Sequence, residues 1–112
     1  MKILLCSVPD GSLEQTLQPL IPRTNNVLKQ PWIPFGILHI LSWMEKKGYD
    51  RDIYDINCLR PSDGELIKNF KQIKPTVVGL SATLLHCYPN VKRISKILRE
   101  LFPDIWIVVG AI

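Results

Sequence analysis

The sequence predicts an α/β fold: a parallel sheet of four strands, order 2-1-3-4, with three helices packed on its two faces. Three observations predict it. Two apolar runs without polar alternation, Lys2 to Val8 and Thr76 to Leu80, read as central strands covered on both faces. A third run, Tyr49 to Ile56, carries Asp50, Arg51, Asp52 and Asp55 and suits a sheet edge. Helical and strand-like segments alternate through the chain, so right-handed crossovers and a parallel sheet follow.

The totals fit this reading. At 112 residues the chain is one domain, 1–112, with 46% hydrophobic and 21% charged residues. A domain of this size buries roughly 65% of its unfolded surface. The net charge of +4 and the pI near 9.1 permit an acidic partner but are too small to indicate nucleic acid. Cys6, Cys58 and Cys87 have no metal-type spacing and read as free thiols in a reducing compartment. The apolar opening Met1 to Cys6 is too short for a signal peptide, and Pro9-Asp10 interrupts it. No apolar run approaches the ~20 residues of a membrane span, so a cytoplasmic protein is expected.

In chain order, the first strand gives way at Pro9 to a stretch reaching Ile33 with Pro9, Pro19, Pro22, Pro31 and the turn signal Thr24-Asn25-Asn26. Its apolar residues, among them Leu17, Leu20, Val27 and Trp32, mark an ordered flap rather than a linker. Pro34 starts a helix that runs to Lys47 and stops at Gly48. Ile37, Ile40, Leu41 and Met44 form its apolar stripe, which Phe35, Leu38 and Trp43 widen. After the charged strand, Ser62-Asp63-Gly64-Glu65 has the form of a capping box opening a second helix over Leu66, Ile67, Phe70 and Ile73, ended by Pro75. A third helix, Pro89 to Phe102, repeats Val91, Ile94, Ile97, Leu98 and Leu101 at helical spacing. Ile105 to Val109 is the fourth strand. The chain ends Gly110-Ala111-Ile112, and a strand ending in glycine at this edge leads us to expect an amino-terminal part of something longer.

Ligands bind open α/β sheets at the carboxyl ends of the strands. The third strand ends there in small polar residues, Ser81-Ala82-Thr83. Gly79, inside that strand, lets a helix or ligand approach the backbone. Several chemistries are excluded. Val8-Pro9-Asp10-Gly11-Ser12 has one glycine and no following helix, so it is not a dinucleotide loop, and Asp55 becomes a loop or helix-proximal acceptor instead of a ribose ligand. No Gly-Lys-Ser/Thr phosphate loop occurs, and a lone Asp10 with Ser81 cannot make a phosphoacceptor site. His39 reads as a half-exposed helix residue. His86 flanks the edge beside Cys87, but two ligands are too few for structural zinc. Lys92, Arg93, Lys96 and Arg99 read as a solvated basic helix face. No nucleophile is paired with a base, so the chain is not expected to catalyse alone.

Three stretches together resemble one family: Pro34-Phe35-Gly36-Ile37-Leu38 leading to Glu45-Lys46-Lys47-Gly48-Tyr49 and Asp55-Ile56-Asn57; Lys74 to Thr83; and Leu101-Phe102-Pro103-Asp104-Ile105 to Gly110. They are similar to the amino-terminal cobalamin-binding domain of radical S-adenosylmethionine enzymes, the group of methyltransferases and the anaerobic magnesium-protoporphyrin ester cyclase. The resemblance implies a flavodoxin-like (Rossmann-like) three-layer sheet holding cobalamin at its carboxyl edge. It implies Ser81, Thr83 and Gly110 as the floor of the site, and Pro9, Asp10, Pro34 and Gly36 as its walls. No catalytic or metal-ligating residue is implied. Ala111 stands where the family has a second glycine, and Ser12 where cobalamin proteins of the methionine-synthase type have a histidine after Asp10. It follows that no histidine would ligate cobalt. S-adenosylmethionine and a [4Fe-4S] cluster are expected only in a downstream domain, the expected partner together with a small-molecule substrate; nucleic acid and membrane are not. A dimer through the free sheet edge is also expected. The alternatives are a degenerate interaction module without cofactor, and the amino-terminal half of a nucleotide-sugar transferase, which the missing Gly-His pair after the first strand disfavours.

Overall fold

A computed structural model of the protein describes residues 1–9, 23–24, 27–28, 35–82 and 87–110. Four parallel strands form its sheet: β1 (Lys2–Ser7), β4 (Asp50–Tyr54), β5 (Val77–Ser81) and β6 (Trp106–Gly110), in the order β4-β1-β5-β6. This is the expected 2-1-3-4 arrangement, with β5 inside the sheet and the charged β4 at an edge. Two short strands, β2 (Arg23–Thr24) and β3 (Val27–Leu28), pair antiparallel in a separate ladder. The rest of the expected flap lies outside the described residues.

Each helix has a local reason to begin and stop. Helix α1 (Phe35–Lys46) ends at Gly48, whose φ of +78° suits glycine. There Gly48 N–H donates to Glu45 and Tyr49 N–H to Met44, both at 3.1 Å, closing the helix with a left-handed turn. A single helical turn, α2 (Ile56–Leu59), follows β4, so Asp55-Ile56-Asn57 does not belong to the strand as expected. Asp55 caps α2 by accepting from Cys58 N–H, and Arg60 closes it with φ +49°. Helix α3 (Asp63–Ile73) carries the capping box: Ser62 Oγ accepts from Glu65 N–H at 3.3 Å, and Ser62 N–H donates back to the Glu65 carboxylate at 3.1 Å. Helix α4 (Tyr88–Leu101) has a proline in its first turn, where a missing N–H costs nothing.

The helices split the core in two. Helices α3 and α4 close one face of the sheet over Leu4, Cys6, Val78 and Leu80, with Leu66, Phe70, Ile94 and Leu98 fully buried between the layers. Burial pushes the Cys6 thiol well above its ordinary value, so it stays protonated as a small apolar side chain. On the other face α1 packs Ile37 onto Ile3 and Leu5, flanked by Ile40, Leu41 and Met44. Helix α1 packs mainly on β1 and β4, and its cluster reaches Val77 of β5. The expected widening of its stripe fails at Leu38 and Trp43. Leu38 and Trp43 are exposed, and Trp43 stacks on Tyr49 at 6.4 Å with the Lys47 ammonium over its ring. Beyond α1 the same face of β6 is bare: Trp106 is 71% exposed and Val108 56%.

The basic face of α4 also differs from expectation. Arg93 pairs with the Asp63 carboxylate and donates to the Pro61 carbonyl at 3.0 Å. Arg99 donates to the carbonyls of Pro103 and Ile105, both at 2.8 Å, tying the end of α4 to the entry of β6. Two of the four cations are therefore clasps within the fold, because their long side chains reach backbone acceptors that α4 itself cannot satisfy.

Candidate functional site

Strand register builds the site. Ser7 of β1 lies beside Ser81 of β5, and Ser81 lies beside Gly110 of β6. Partners in register project to the same face of a sheet. Ser7, Ser81 and Gly110 therefore make one rung of small residues across three strands at their carboxyl ends, on the α1 face. Neighbouring strands are ~4.8 Å apart, so the rung spans about 10 Å. One rung inward stand Leu5, Gly79 and Val108, and next Ile3, Val77 and Trp106. Hydrogen bonds carry the ladder past the rung, from Val8 N–H to the Ser81 carbonyl (3.1 Å) and from Ala82 N–H to that of Gly110 (2.8 Å).

The floor is held from below. Ser7 Oγ donates to the Asp55 carboxylate and accepts from Asn57 N–H at 3.1 Å. Asp55 thus serves as the acceptor expected of it, joining the end of β1 to the start of α2. Cys58, in α2, is only partly covered, unlike Cys6 and Cys87. Its thiol is raised by burial and by the neighbouring Asp55 carboxylate. Gly79 plays a different part from the one expected. A Cβ placed there would stand 2.9 Å from Leu5 Cδ2, so the glycine makes room for a neighbouring strand's side chain. At Gly110 an added Cβ meets nothing within 4 Å, so the rung opens outward there.

Of the expected site residues, Ser81 and Gly110 meet in the rung. Pro9 is buried just past it, its carbonyl accepting from Asn90 Nδ2 at 3.0 Å. Gly36 lies in the first turn of α1 and is not part of the rung. Asp10, Pro34 and Thr83, with His86, lie outside the described residues. His39 is exposed on α1, and no group of three metal-ligating side chains occurs among the described residues. Sequence reasoning missed Ser7. The available signal was that strands one and three both end in serine, but only register shows that the two stand side by side.

Two hollows flank the sheet ends. A polar one of about 110 Å³ lies at the carboxyl edge on the α4 face, lined by Pro9, Ile56, Arg60, Pro61, Asn90 and Arg93. A larger one of about 340 Å³, lined in part by Pro75, Phe102 and Pro103, lies at the opposite end of β5 and β6. Its size does not make it the site, because the small residues and open backbone gather at the other end. No helix among the described residues is long and apolar enough to cross a membrane.

No curated protein matches the chain. The family model described as B12 binding domain matches residues 24–112, which covers every strand of the main sheet except β1. The flavodoxin-like fold and the open carboxyl edge agree with that match. The chain belongs to the B12 binding domain family, and cobalamin is the cofactor that its site takes.

Proposed function

We propose that this chain is the cobalamin-carrying domain of a radical S-adenosylmethionine enzyme, working with a downstream domain that holds the iron–sulfur cluster and S-adenosylmethionine. The observation that carries this reading is the Ser7–Ser81–Gly110 rung, in a chain of the B12 binding family. A corrin and its nucleotide tail need a long, shallow bed of backbone and small side chains. Two serines and a glycine in one row, with no Cβ at the outermost position, fit that need. The stretches at 34–57, 74–83 and 101–110 that resemble the radical enzymes support the finer assignment.

When bound, cobalamin supplies the cobalt centre for methyl transfer or cyclase-type chemistry. The chain's own residues hold it. Ser81 offers a hydroxyl and Gly110 offers open backbone. Ser7, buried and committed to Asp55 and Asn57, fixes the inner end of the row, while Pro9, and by the family resemblance Asp10, Pro34, Gly36 and Thr83, form the walls. Cobalt takes no protein ligand in this reading, because Ser12 stands where a ligating histidine would follow Asp10.

Hydroxocobalamin titrated into the protein, followed by absorption and electron-spin spectra, tests the assignment. Binding with spectra unchanged in His39→Ala and His86→Ala is expected. A histidine-ligated cobalt signal lost in His86→Ala overturns the ligand-free assignment, and absence of binding leaves an interaction module without cofactor as the better account.

A further inference from the structure

Three contacts converge on the residues that leave β1. Val8 N–H donates to the Ser81 carbonyl at 3.1 Å, the Cys87 thiol lies 3.8 Å from the Val8 carbonyl, and Asn90 Nδ2 donates to the Pro9 carbonyl at 3.0 Å. The other end of the Asn90 amide is engaged as well. Its Oδ1 accepts from Arg93 Nη1 at 3.1 Å, and Arg93 continues to the Asp63 carboxylate and the Pro61 carbonyl. The amide has one permitted orientation. A carbonyl only accepts and a guanidinium only donates, so a flipped amide would set like against like at both ends.

We propose that Asn90 is a positioning residue for the cofactor: its amide fixes the direction in which the chain leaves β1 beside the Ser7–Ser81–Gly110 rung. The proposal rests on the reading of that rung as the cobalamin bed. Pro9 has no N–H, so among the described residues Val8 is the last backbone donor leaving β1, and the Pro9 carbonyl is a group by which its course can be fixed. Asn90 holds that carbonyl from the first turn of α4, and Arg93 anchors Asn90 to the start of α3.

Two variants separate positioning from simple support. Asn90→Asp keeps an acceptor for Arg93 but loses the donor to Pro9, whereas Asn90→Gln keeps both kinds of group. Each full-length variant is titrated with hydroxocobalamin by absorption, its cofactor release rate is measured, and the thermal midpoint of the apoprotein is recorded. Asn90→Asp is expected to bind roughly fivefold or more weakly and to release cofactor faster, a loss larger than the fall in midpoint from one lost hydrogen bond accounts for. Asn90→Gln is expected to recover part of that loss. An Asn90→Asp protein that binds like wild type, or that weakens only in step with a lowered midpoint, overturns the proposal. Wild-type protein that binds no hydroxocobalamin overturns the cofactor reading itself, a result distinct from either.

Discussion

The two faces of the sheet solve different problems. Under α3 and α4, Leu4, Cys6, Val78 and Leu80 meet a layer of Leu66, Phe70, Ile94 and Leu98, and only toward β6, at the half-exposed Val109, does that cover thin. Under α1 the cover lies mainly over β1 and β4 and reaches β5 at Val77, and toward β6 the side chains at the carboxyl end shrink to serine and glycine. Stability is concentrated on one face, which leaves the other free to stay low and open for a ligand. On the proposed reading, that open face is the bed for the corrin.

Truncations on each face test that division most directly. Phe70→Ala, at a fully buried position edge-on to Tyr54 (centroids 5.8 Å apart), is expected to cost about 3–5 kcal/mol in urea unfolding. Trp106→Ala removes a comparably large side chain from the bare face and is expected to stay within about 0.5 kcal/mol. Equal losses at the two positions would mean that the α1 face is closed after all.

Function should follow the opposite pattern. Ser81→Leu puts a branched side chain into the middle of the rung and is expected to weaken hydroxocobalamin binding by about tenfold or more, as overpacking of a site costs 1–3 kcal/mol. The unfolding midpoint should move little, since Ser81 is only half-buried. Unchanged affinity in the leucine variant would remove the rung from the site.

Beyond the rung, β6 itself offers an expectation about association. Trp106-Ile107-Val108-Val109-Gly110 is an edge strand with no charge and no proline, and no strand pairs with its outer side among the described residues. Such edges template pairing with another chain. Light scattering is expected to show dimers or larger species at high concentration, and Val108→Lys is expected to return the protein to monomer. A clean monomer in wild type would count against the edge as a contact.

How much of this was legible in the sequence depends on how far each feature reaches. Strand order could be read because burial leaves a compositional mark: Leu4 and Val78 sit in unbroken apolar runs, while Asp50 and Asp52 mark an edge. The capping box at Ser62 could be read because its partners are three residues apart. Helix α2 could not, since four residues carry no period and the turn depends on the Asp55 side chain and a left-handed Arg60. Periodicity gave α1 its apolar face, but how much sheet that helix covers is a tertiary matter, so Trp43 was misplaced. Arg93 finds Asp63 across 30 residues of chain, and Ser7 finds Ser81 through register alone. Features held by long-range pairing leave no local pattern.

The smallest expected effect concerns how the two faces are kept distinct. Gly79 sits one rung below Ser81, and a Cβ there would stand 2.9 Å from Leu5 Cδ2, the end of a flexible side chain. Gly79→Ala should therefore force Leu5 to shift against Ile37, with overpacking of about 1 kcal/mol, and not break the strand. Alanine also restricts the unfolded chain, which offsets part of that cost by about 0.5 kcal/mol. If the clash with Leu5 is the whole cause, shortening the partner in Gly79→Ala/Leu5→Val should regain some of the loss, and a double-mutant cycle should show coupling of about 0.5 kcal/mol or more. Additive losses would assign the glycine to another constraint, a close approach from the ligand side, and would extend the cofactor bed one rung deeper than Ser81.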